Sequence, residues 1–274
     1  MTGDEAPAGT GKSDHYASYA NFGEGVAAEV RREAFGEDYG QNGWQTAAEL
    51  DLFLSWLDLR PSAQVLDFAC GAGGPAIRIA ERTGCTVTGL DLDPRAIAAA
   101  DRLASQSSAR QRVRFMTGDG GVRLPFDDAS FDAVICIDAV NHLPDRIAMF
   151  GEWRRVLRPG GLAVFTDPAI ITGPVTGRDL AIRSSIGAFL FSPPGADEDM
   201  LETCGFHLEA REDRTANMSA SARGRHDARA RHAVELIAIE GRDAFDRQQV
   251  FFETTARLAA EARLSRFAFL ARRN

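Results

Sequence analysis

Short apolar runs alternate with segments of helical spacing between residues 64 and 168. The apolar runs predict buried strands, and most of the segments between them predict helices with one apolar face. Parallel neighbouring strands need a crossover connection, usually a helix, so the alternation predicts a parallel sheet covered on both faces. The right-handed crossover rule makes a doubly wound, Rossmann-like α/β sheet the expected fold. The predicted strands cover residues 64–69, 86–91, 112–119, 131–138 and 162–168.

The flanking segments predict additions to this sheet. Residues 1–13 are mostly small, polar or acidic and are expected to form a disordered tail. Residues 14–58 are expected to form a helical cap, in which Leu50, Phe53 and Leu57 share one helix face. The other predicted units are the core over 59–215, a helical insert or lid over 216–262 and a final core strand over 263–274.

Charge, cysteine spacing and apolar run lengths argue against several classes of protein. The 274-residue chain has a formal net charge of −8, which disfavours sequence-independent nucleic-acid binding because basic residues supply most of that affinity. None of its four cysteines lies in a C-x-x-C pair, so no metal site is expected. No run approaches the roughly 20 apolar residues of a membrane span, and the first residues lack the apolar core of a signal peptide. We therefore expect a cytoplasmic protein that binds neither nucleic acid nor membrane.

A glycine-rich loop follows the first predicted strand. Gly71 and Gly73 begin a G-x-G-x-x-A pattern, and Asp91 comes twenty positions after Gly71, at the end of the second strand. Such a loop brings backbone N–H groups close to a ligand, and the carboxylate accepts hydrogen bonds from ribose hydroxyls. The pattern is typical of NAD sites, but it fits other adenosine ligands equally well.

Asp67, four residues before Gly71, bears on this choice. In a dinucleotide site the pyrophosphate lies against the helix N-terminus, and a carboxylate at the preceding strand end would repel it. The same carboxylate attracts a cationic group such as an ammonium or a sulfonium. Asp67 therefore favours a cationic adenosine ligand over NAD.

Five motifs in βαβ order resemble those of the class I S-adenosylmethionine-dependent methyltransferases. They are "VLDFACGAGGPA" (65–76), "VTGLDLD" (87–93), "MTGDG" (116–120), "FDAVICIDAVNHLPD" (131–145) and "VLRPGGLAVFTDP" (156–168). The later motifs are similar to those of sarcosine/dimethylglycine and phosphoethanolamine methyltransferases and of enzymes that tailor natural products. The resemblance implies a seven-stranded sheet whose last strand is antiparallel.

The resemblance also implies S-adenosyl-L-methionine as cofactor and a role for each matched residue. Asp67 and the Gly71–Gly73 turn would hold its methionine part, with Ala69 standing where the family pattern has glycine. Asp91 would accept both ribose hydroxyls. The remaining implied contacts are Leu92 against the adenine, Asp119 and Gly120 at the adenine amino group, and the Ile137 backbone near the amino-acid end.

The acceptor is expected beyond the ends of the fourth and fifth strands, where Asp138 and His142 are the candidate catalytic residues. His142 is a candidate base because imidazole titrates near neutral pH; alternatively it shapes the pocket wall. Asp138 is a candidate for holding an acceptor ammonium, or caps a turn. Candidate substrate-binding residues in the cap are Tyr16, Tyr19, Tyr39, Gln41 and Trp44, although Trp44 alone equally fits the core. The arginines of residues 223–231 form a solvated helix face or an anion clamp.

These observations predict methyl transfer to an amine nitrogen or a hydroxyl oxygen of a small molecule. The alternatives are an NAD-dependent oxidoreductase and a cofactor-binding protein without catalysis. The sequence leaves open whether the chain forms a homodimer.

Overall fold

The computed structural model describes Tyr19, residues 25–121 and residues 123–274. The strands in this part of the chain are β1 (Gln64–Phe68), β2 (Thr86–Asp91), β3 (Val113–Thr117), β4 (Phe131–Cys136), β5 (Leu157–Ile171), β6 (Phe206–Asp213) and β7 (Leu264–Arg273). They form one seven-stranded sheet in the order β3-β2-β1-β4-β5-β7-β6. Strand β7 is antiparallel to β5 and β6, and the other pairs are parallel. The predicted sheet is thus confirmed, whereas the predicted tail over 1–13 lies outside the described residues.

Helices connect and flank the strands of this sheet. They are α1 (Gly25–Phe35), α2 (Ala47–Leu57), α3 (Gly74–Thr83), α4 (Pro94–Ser105), α5 (Arg146–Val156), α6 (Gly177–Arg183), α7 (Ala196–Thr203), α8 (Thr215–Arg231), α9 (Ala233–Glu240) and α10 (Arg242–Ala260). Asp93 caps α4 by accepting the Arg95 N–H at 2.8 Å, as the Asp-Pro pair predicts. Among the described helices, none is long and apolar enough to cross a membrane.

The start of strand β5 differs from the sequence prediction. Strand β5 begins at Leu157, before the predicted start at residue 162, and includes the Arg-Pro-Gly-Gly stretch over 158–161. The register with β4 jumps there, from Leu157 opposite Phe131 to Leu162 opposite Ala133, and Gly160 takes a φ of 76°. The extra residues therefore bulge out of a strand that the pattern predicted to start later.

Apolar residues pack on both faces of the sheet. Leu66 and Phe68 of β1 belong to one core cluster, whereas Val65 belongs to the other, as the two-residue repeat of a strand requires. The first cluster is rich in aromatic rings and includes Trp153 of α5 and Phe165 of β5. This two-sided burial explains the nearly continuous apolar runs of the central strands.

The cap is fastened to the C-terminal helices through Trp44. Its ring stacks on Phe251 and meets Phe252 edge-on, both with centroids 6.1 Å away. Met218 of α8 joins the same cluster. The helical segment over 216–262 thus packs against the cap as three separate helices.

A buried ionic cluster joins the cap to the sheet. Arg266 of β7 is 0% exposed, and its Nη1 donates to both carboxylate oxygens of Glu49 in α2 at 2.7 and 2.9 Å. Its Nε donates to Asp138 Oδ1 at 2.6 Å. Arg214 also donates to Glu49, at 3.1 Å. The guanidinium therefore links α2, β7 and the turn after β4.

We expect Arg266→Met to lower the free energy of unfolding by about 3–5 kcal/mol, because the buried Asp138 carboxylate loses its counter-charge and Glu49 keeps only Arg214. Arg272→Met is the matched control on the same strand, since Arg272 pairs with Glu209 at a half-exposed site. That change should cost less than about 1 kcal/mol. Urea unfolding of both variants measures the difference, and equal losses would contradict the role of the cluster.

Candidate active site

A cavity of about 260 Å³ opens at the carboxyl ends of the parallel strands. Chain order runs outward from β1 to β3 on one side and from β4 to β5 on the other. The cavity lies at this reversal, where open α/β sheets bind ligands. Its wall combines the loops after β1 to β4 with cap residues and residues 187–188.

Most of the predicted site residues line this cavity. Those that do are Tyr19, Asp67, Ala69, Gly71, Asp91, Leu92, Asp119, Gly120, Ile137, Asp138 and His142. Gly73, Tyr39, Gln41 and Trp44 lie outside the wall, and Tyr16 lies outside the described residues. Lining residues that the sequence did not single out include Gly40, Asn42, Gln45, Phe68, Leu143 and Ala188.

The loop after β1 adopts left-handed backbone at Ala69, Gly71 and Gly73. At Gly73 a Cβ atom would lie 2.6 Å from the Phe115 ring and 2.8 Å from Ala100, so glycine there allows the loop to pack on the neighbouring elements. Ala69 has a φ of 57°, which costs an alanine about 1–2 kcal/mol. The methyl group is thus accommodated with strain where the family pattern has glycine.

Asp91 connects the end of β2 to this loop. Its Oδ2 accepts the Gly71 N–H at 2.8 Å and its Oδ1 accepts the Asp93 N–H at 2.9 Å. Burial raises the pKa of Asp91, and the backbone donors partly offset this. A carboxylate has about four acceptor positions, so Asp91 can still accept two hydroxyl groups.

Asp67 is the most unusual group in the wall. Its side chain is 2% exposed, and its Oδ2 has no hydrogen-bond partner among the described residues. Burial, and secondly the charge of Asp91, raise the pKa of Asp67 to about 8. A buried carboxylate oxygen without a partner is costly, and a cation beside it would relieve that cost. The residues present therefore fit the cationic amino-acid end of S-adenosylmethionine.

The opposite end of the cavity is more open. Leu92 is 52% exposed, and the exposed Asp119 accepts the Gly121 N–H at 2.8 Å. An apolar face beside a carboxylate acceptor suits a purine ring that carries an amino group.

His142 lines the cavity from the helical turn Val140–His142 after β4. Its Nδ1 lies 2.7 Å from the Ala188 carbonyl oxygen, and its Nε2 lies 3.4 Å from the amide nitrogen of Asn141. A neutral ring that donates from Nδ1 and accepts at Nε2 satisfies both contacts. Loss of solvation lowers the pKa of His142, and the charge of Arg183 lowers it further. The lowered pKa keeps the ring in its neutral form, which is the form that a base requires.

Asp138 lines the cavity, but its carboxylate already has several donors. Arg266 and the Thr166 hydroxyl donate to Oδ1, and the Trp44 N–H donates to Oδ2 at 2.7 Å. Gly43 lies so close that a Cβ atom there would be 2.4 Å from Oδ2. Asp138 thus fixes the cap over the cavity, and its catalytic role stays a prediction.

In the arginine-rich segment over 223–231, Arg225 and Arg229 are at least partly buried, whereas Arg223 and Arg231 are exposed. Arg225 donates to the Asn42 carbonyl at 2.7 Å, Arg229 pairs with Glu240 and Arg231 pairs with Glu33. These contacts tie α8 to the cap and to α9.

Cys70, in the glycine-rich loop after β1, is buried, and burial raises the pKa of its thiol, as expected for a small packing residue.

Comparisons with known proteins agree with this geometry. Residues 65–161 match the family model described as "Methyltransferase domain". The chain is 32% identical over 159 residues to sterol 24-C-methyltransferase ERG6B of Gibberella zeae, which covers 55% of this chain and 42% of that protein. It is 31% identical over 156 residues to 27-O-demethylrifamycin SV methyltransferase of Amycolatopsis mediterranei, 54% of this chain and 57% of that one. The chain thus spans about half the length of these curated relatives.

Solved structures show the same fold. Phosphoethanolamine N-methyltransferase 2 of Haemonchus contortus, in complex with S-adenosyl-L-methionine, superposes with a TM-score of 0.77 at 20% sequence identity. The match covers 94% of this chain and 60% of that chain.

We expect Asp67→Asn to stabilise the ligand-free protein by an amount that grows with pH. Because the pKa of Asp67 is raised from 3.8 to about 8, ionisation costs wild-type stability progressively as pH rises from about 4 to about 8. The gain should be on the order of 1–3 kcal/mol at pH 8 and small at pH 4. Urea unfolding at both pH values measures it. Asp119→Asn, at an exposed carboxylate of the same cavity, is the control, and a gain independent of pH would contradict the assignment.

Proposed function

We propose that this member of the class I S-adenosylmethionine-dependent methyltransferases transfers the methyl group of S-adenosyl-L-methionine to a small-molecule acceptor, at an amine nitrogen or a hydroxyl oxygen. The observation that carries the proposal is the buried Asp67 Oδ2 without a partner, which lines the cavity beside the glycine-rich loop. The matched methyltransferase domain, residues 65–161, contains this loop and Asp91.

The residues of the cavity have distinct tasks in this proposal. Asp67 faces the ammonium, Asp91 accepts the ribose hydroxyls, and Leu92, Asp119 and Gly120 surround the adenine. S-adenosylmethionine supplies a methyl group on a positively charged sulfur, whose departure as a neutral thioether needs no acid. The protein's contribution is therefore alignment, exclusion of water and removal of the acceptor's proton.

The same observation argues against a dinucleotide. Burial and the charge of Asp91 raise the pKa of Asp67. A negative charge on Asp67 beside that of Asp91 is therefore already unfavourable. A pyrophosphate at the loop would add two more negative charges, so NAD is disfavoured.

His142 is the proposed base. Its ring lines the cavity. Because Nδ1 donates to the Ala188 carbonyl, Nε2 is the basic ring atom, and it would exchange its contact with the Asn141 amide for the acceptor's proton. Phe189 packs edge-on against the ring at 4.7 Å and restricts its orientation. A proton from an amine or a hydroxyl would pass to Nε2 as the methyl group is transferred.

The proposal also covers the class of methyl acceptor, the cellular location and the oligomeric state. The net charge of −8 supports an acceptor other than nucleic acid. The relatives' names include a rifamycin and a sterol methyltransferase, which supports small-molecule acceptors. A cytoplasmic location and a homodimer stay predictions.

S-adenosylhomocysteine should bind the protein, whereas NADH should not. Asp91→Ala should weaken S-adenosylhomocysteine binding by about 10- to 100-fold, because two hydrogen bonds to a charged group are lost. Asp93→Ala, which removes the α4 cap outside the cavity wall, is the control and should leave the affinity within about 3-fold. Calorimetric titration measures these affinities. Binding of NADH alone, or full affinity in Asp91→Ala, would contradict the cofactor assignment.

His142→Ala should lower turnover by about 10²- to 10⁴-fold with little change in cofactor affinity, as loss of a general base does. The wild-type rate should rise with pH to a plateau, with its midpoint below 6.5 because the pKa of His142 is lowered. The measurement follows labelled methyl groups from the cofactor into a metabolite extract and then into the product found. Unchanged turnover in the variant would make His142 part of the wall only, and no labelled product despite tight cofactor binding would favour a protein without catalysis.

A further inference from the structure

Gln45 presents a buried amide group at the cavity without a partner for its nitrogen. The residue is 1% exposed and lines the cavity. Its Oε1 accepts the Tyr39 hydroxyl at 3.0 Å, whereas its Nε2 has no hydrogen-bond partner in the described part of the chain. A buried donor without a partner is unfavourable, so this amide is suited to a ligand that accepts hydrogen bonds.

Neighbouring contacts place Gln45 over the reversal point of the sheet. Tyr39, which holds its oxygen, packs against the core cluster that contains Val65 of β1. Trp44, the residue before it, donates to Asp138 after β4. Gln45 therefore lies at the β1/β4 end of the cavity, as Asp67 does, and away from Asp119 at the adenine end.

The charged side chains of the cavity wall as a whole are acidic. Among the described residues they are the carboxylates of Asp67, Asp91, Asp119 and Asp138, and neither arginine nor lysine lines the wall. A carboxylate bound here must therefore be held by neutral donors. The other side-chain amide in the wall, Asn42, already donates to the Tyr19 hydroxyl at 3.4 Å.

We propose that Gln45 binds the carboxylate of the cofactor's methionine part through Nε2–H, opposite Asp67, which takes the ammonium. The inference rests on the proposed function and adds a residue to it. One unpartnered donor and one unpartnered acceptor at the same end of a cavity match a zwitterionic amino acid. A neutral donor also keeps the bound sulfonium in a wall of negative charge, which arginine would weaken.

The test compares two probes by calorimetric titration. S-adenosylhomocysteine carries the ammonium and the carboxylate, and its decarboxylated analogue carries the ammonium alone. Gln45→Met, of similar volume, should weaken S-adenosylhomocysteine binding by about 10- to 100-fold, as loss of a hydrogen bond to a charged group does. It should change binding of the analogue by less than about 3-fold. Gln45→Glu should weaken S-adenosylhomocysteine still more, because two carboxylates would then face each other.

Gln41 supplies the matched control. It is also a glutamine, 1% exposed, but its amide donates to the Glu37 carbonyl at 2.7 Å and accepts the Tyr39 N–H at 2.9 Å, outside the cavity wall. Gln41→Met should change the affinities for both probes by the same factor. Thermal unfolding shows that each variant is folded before it is titrated.

Three results would overturn the inference. Equal losses for both probes in Gln45→Met would mean that Gln45 only shapes the cavity. Unchanged S-adenosylhomocysteine affinity with a raised KM for the acceptor would assign Gln45 to the acceptor instead. If the wild-type protein binds neither probe, the proposed function fails as well. The two Gln45→Met results, by contrast, overturn only the role of Gln45.

Discussion

The site depends on one buried interaction, the contact of Arg266 with Glu49 and Asp138. All three side chains are almost fully shielded from water, so removing Arg266 would leave the buried Asp138 carboxylate without its counter-charge. The guanidinium thereby holds the cap helix α2, the last strand β7 and the turn after β4 at fixed positions. Because the Trp44 N–H also donates to Asp138, the cap segment that closes the cavity is positioned by the far end of the chain.

The cavity held by these contacts is lined by several carboxylates and by buried polar atoms without hydrogen-bond partners among the described residues. Asp67 and Gln45 each bury an atom without a partner, and Ala69 and Asp138 have left-handed backbone with φ values of 57° and 56°. Each feature destabilises the ligand-free protein, and strained or unpaired groups of this kind are found preferentially at ligand-binding sites. The proposed cofactor would offset the first two costs, since its ammonium and carboxylate match them.

The cofactor half of the site could be predicted because its residues occupy positions set by the strands. Asp67 and Asp91 end neighbouring parallel strands, and strand ends of one sheet meet at one edge, so their placement needs no tertiary information. The cap residues were harder to place. Gln41 and Gln45 are identical residues in one irregular segment, and sequence reasoning chose Gln41. The Glu37 carbonyl and the Tyr39 N–H occupy the Gln41 amide, whereas Gln45 lines the cavity.

The antiparallel last strand was implied by the resemblance to the methyltransferases, whereas the sequence by itself determined the parallel sheet and the glycine-rich loop with Asp67 and Asp91 beside it. These follow from periodicity, strand-end position and the backbone needs of a turn, which are local properties. The tertiary structure decided that Asp138 is held by Arg266, that Trp44 packs on α10 and that Gln45 faces the cavity. Each of these depends on which side chains meet across long separations in the chain, and only the folded packing specifies those contacts.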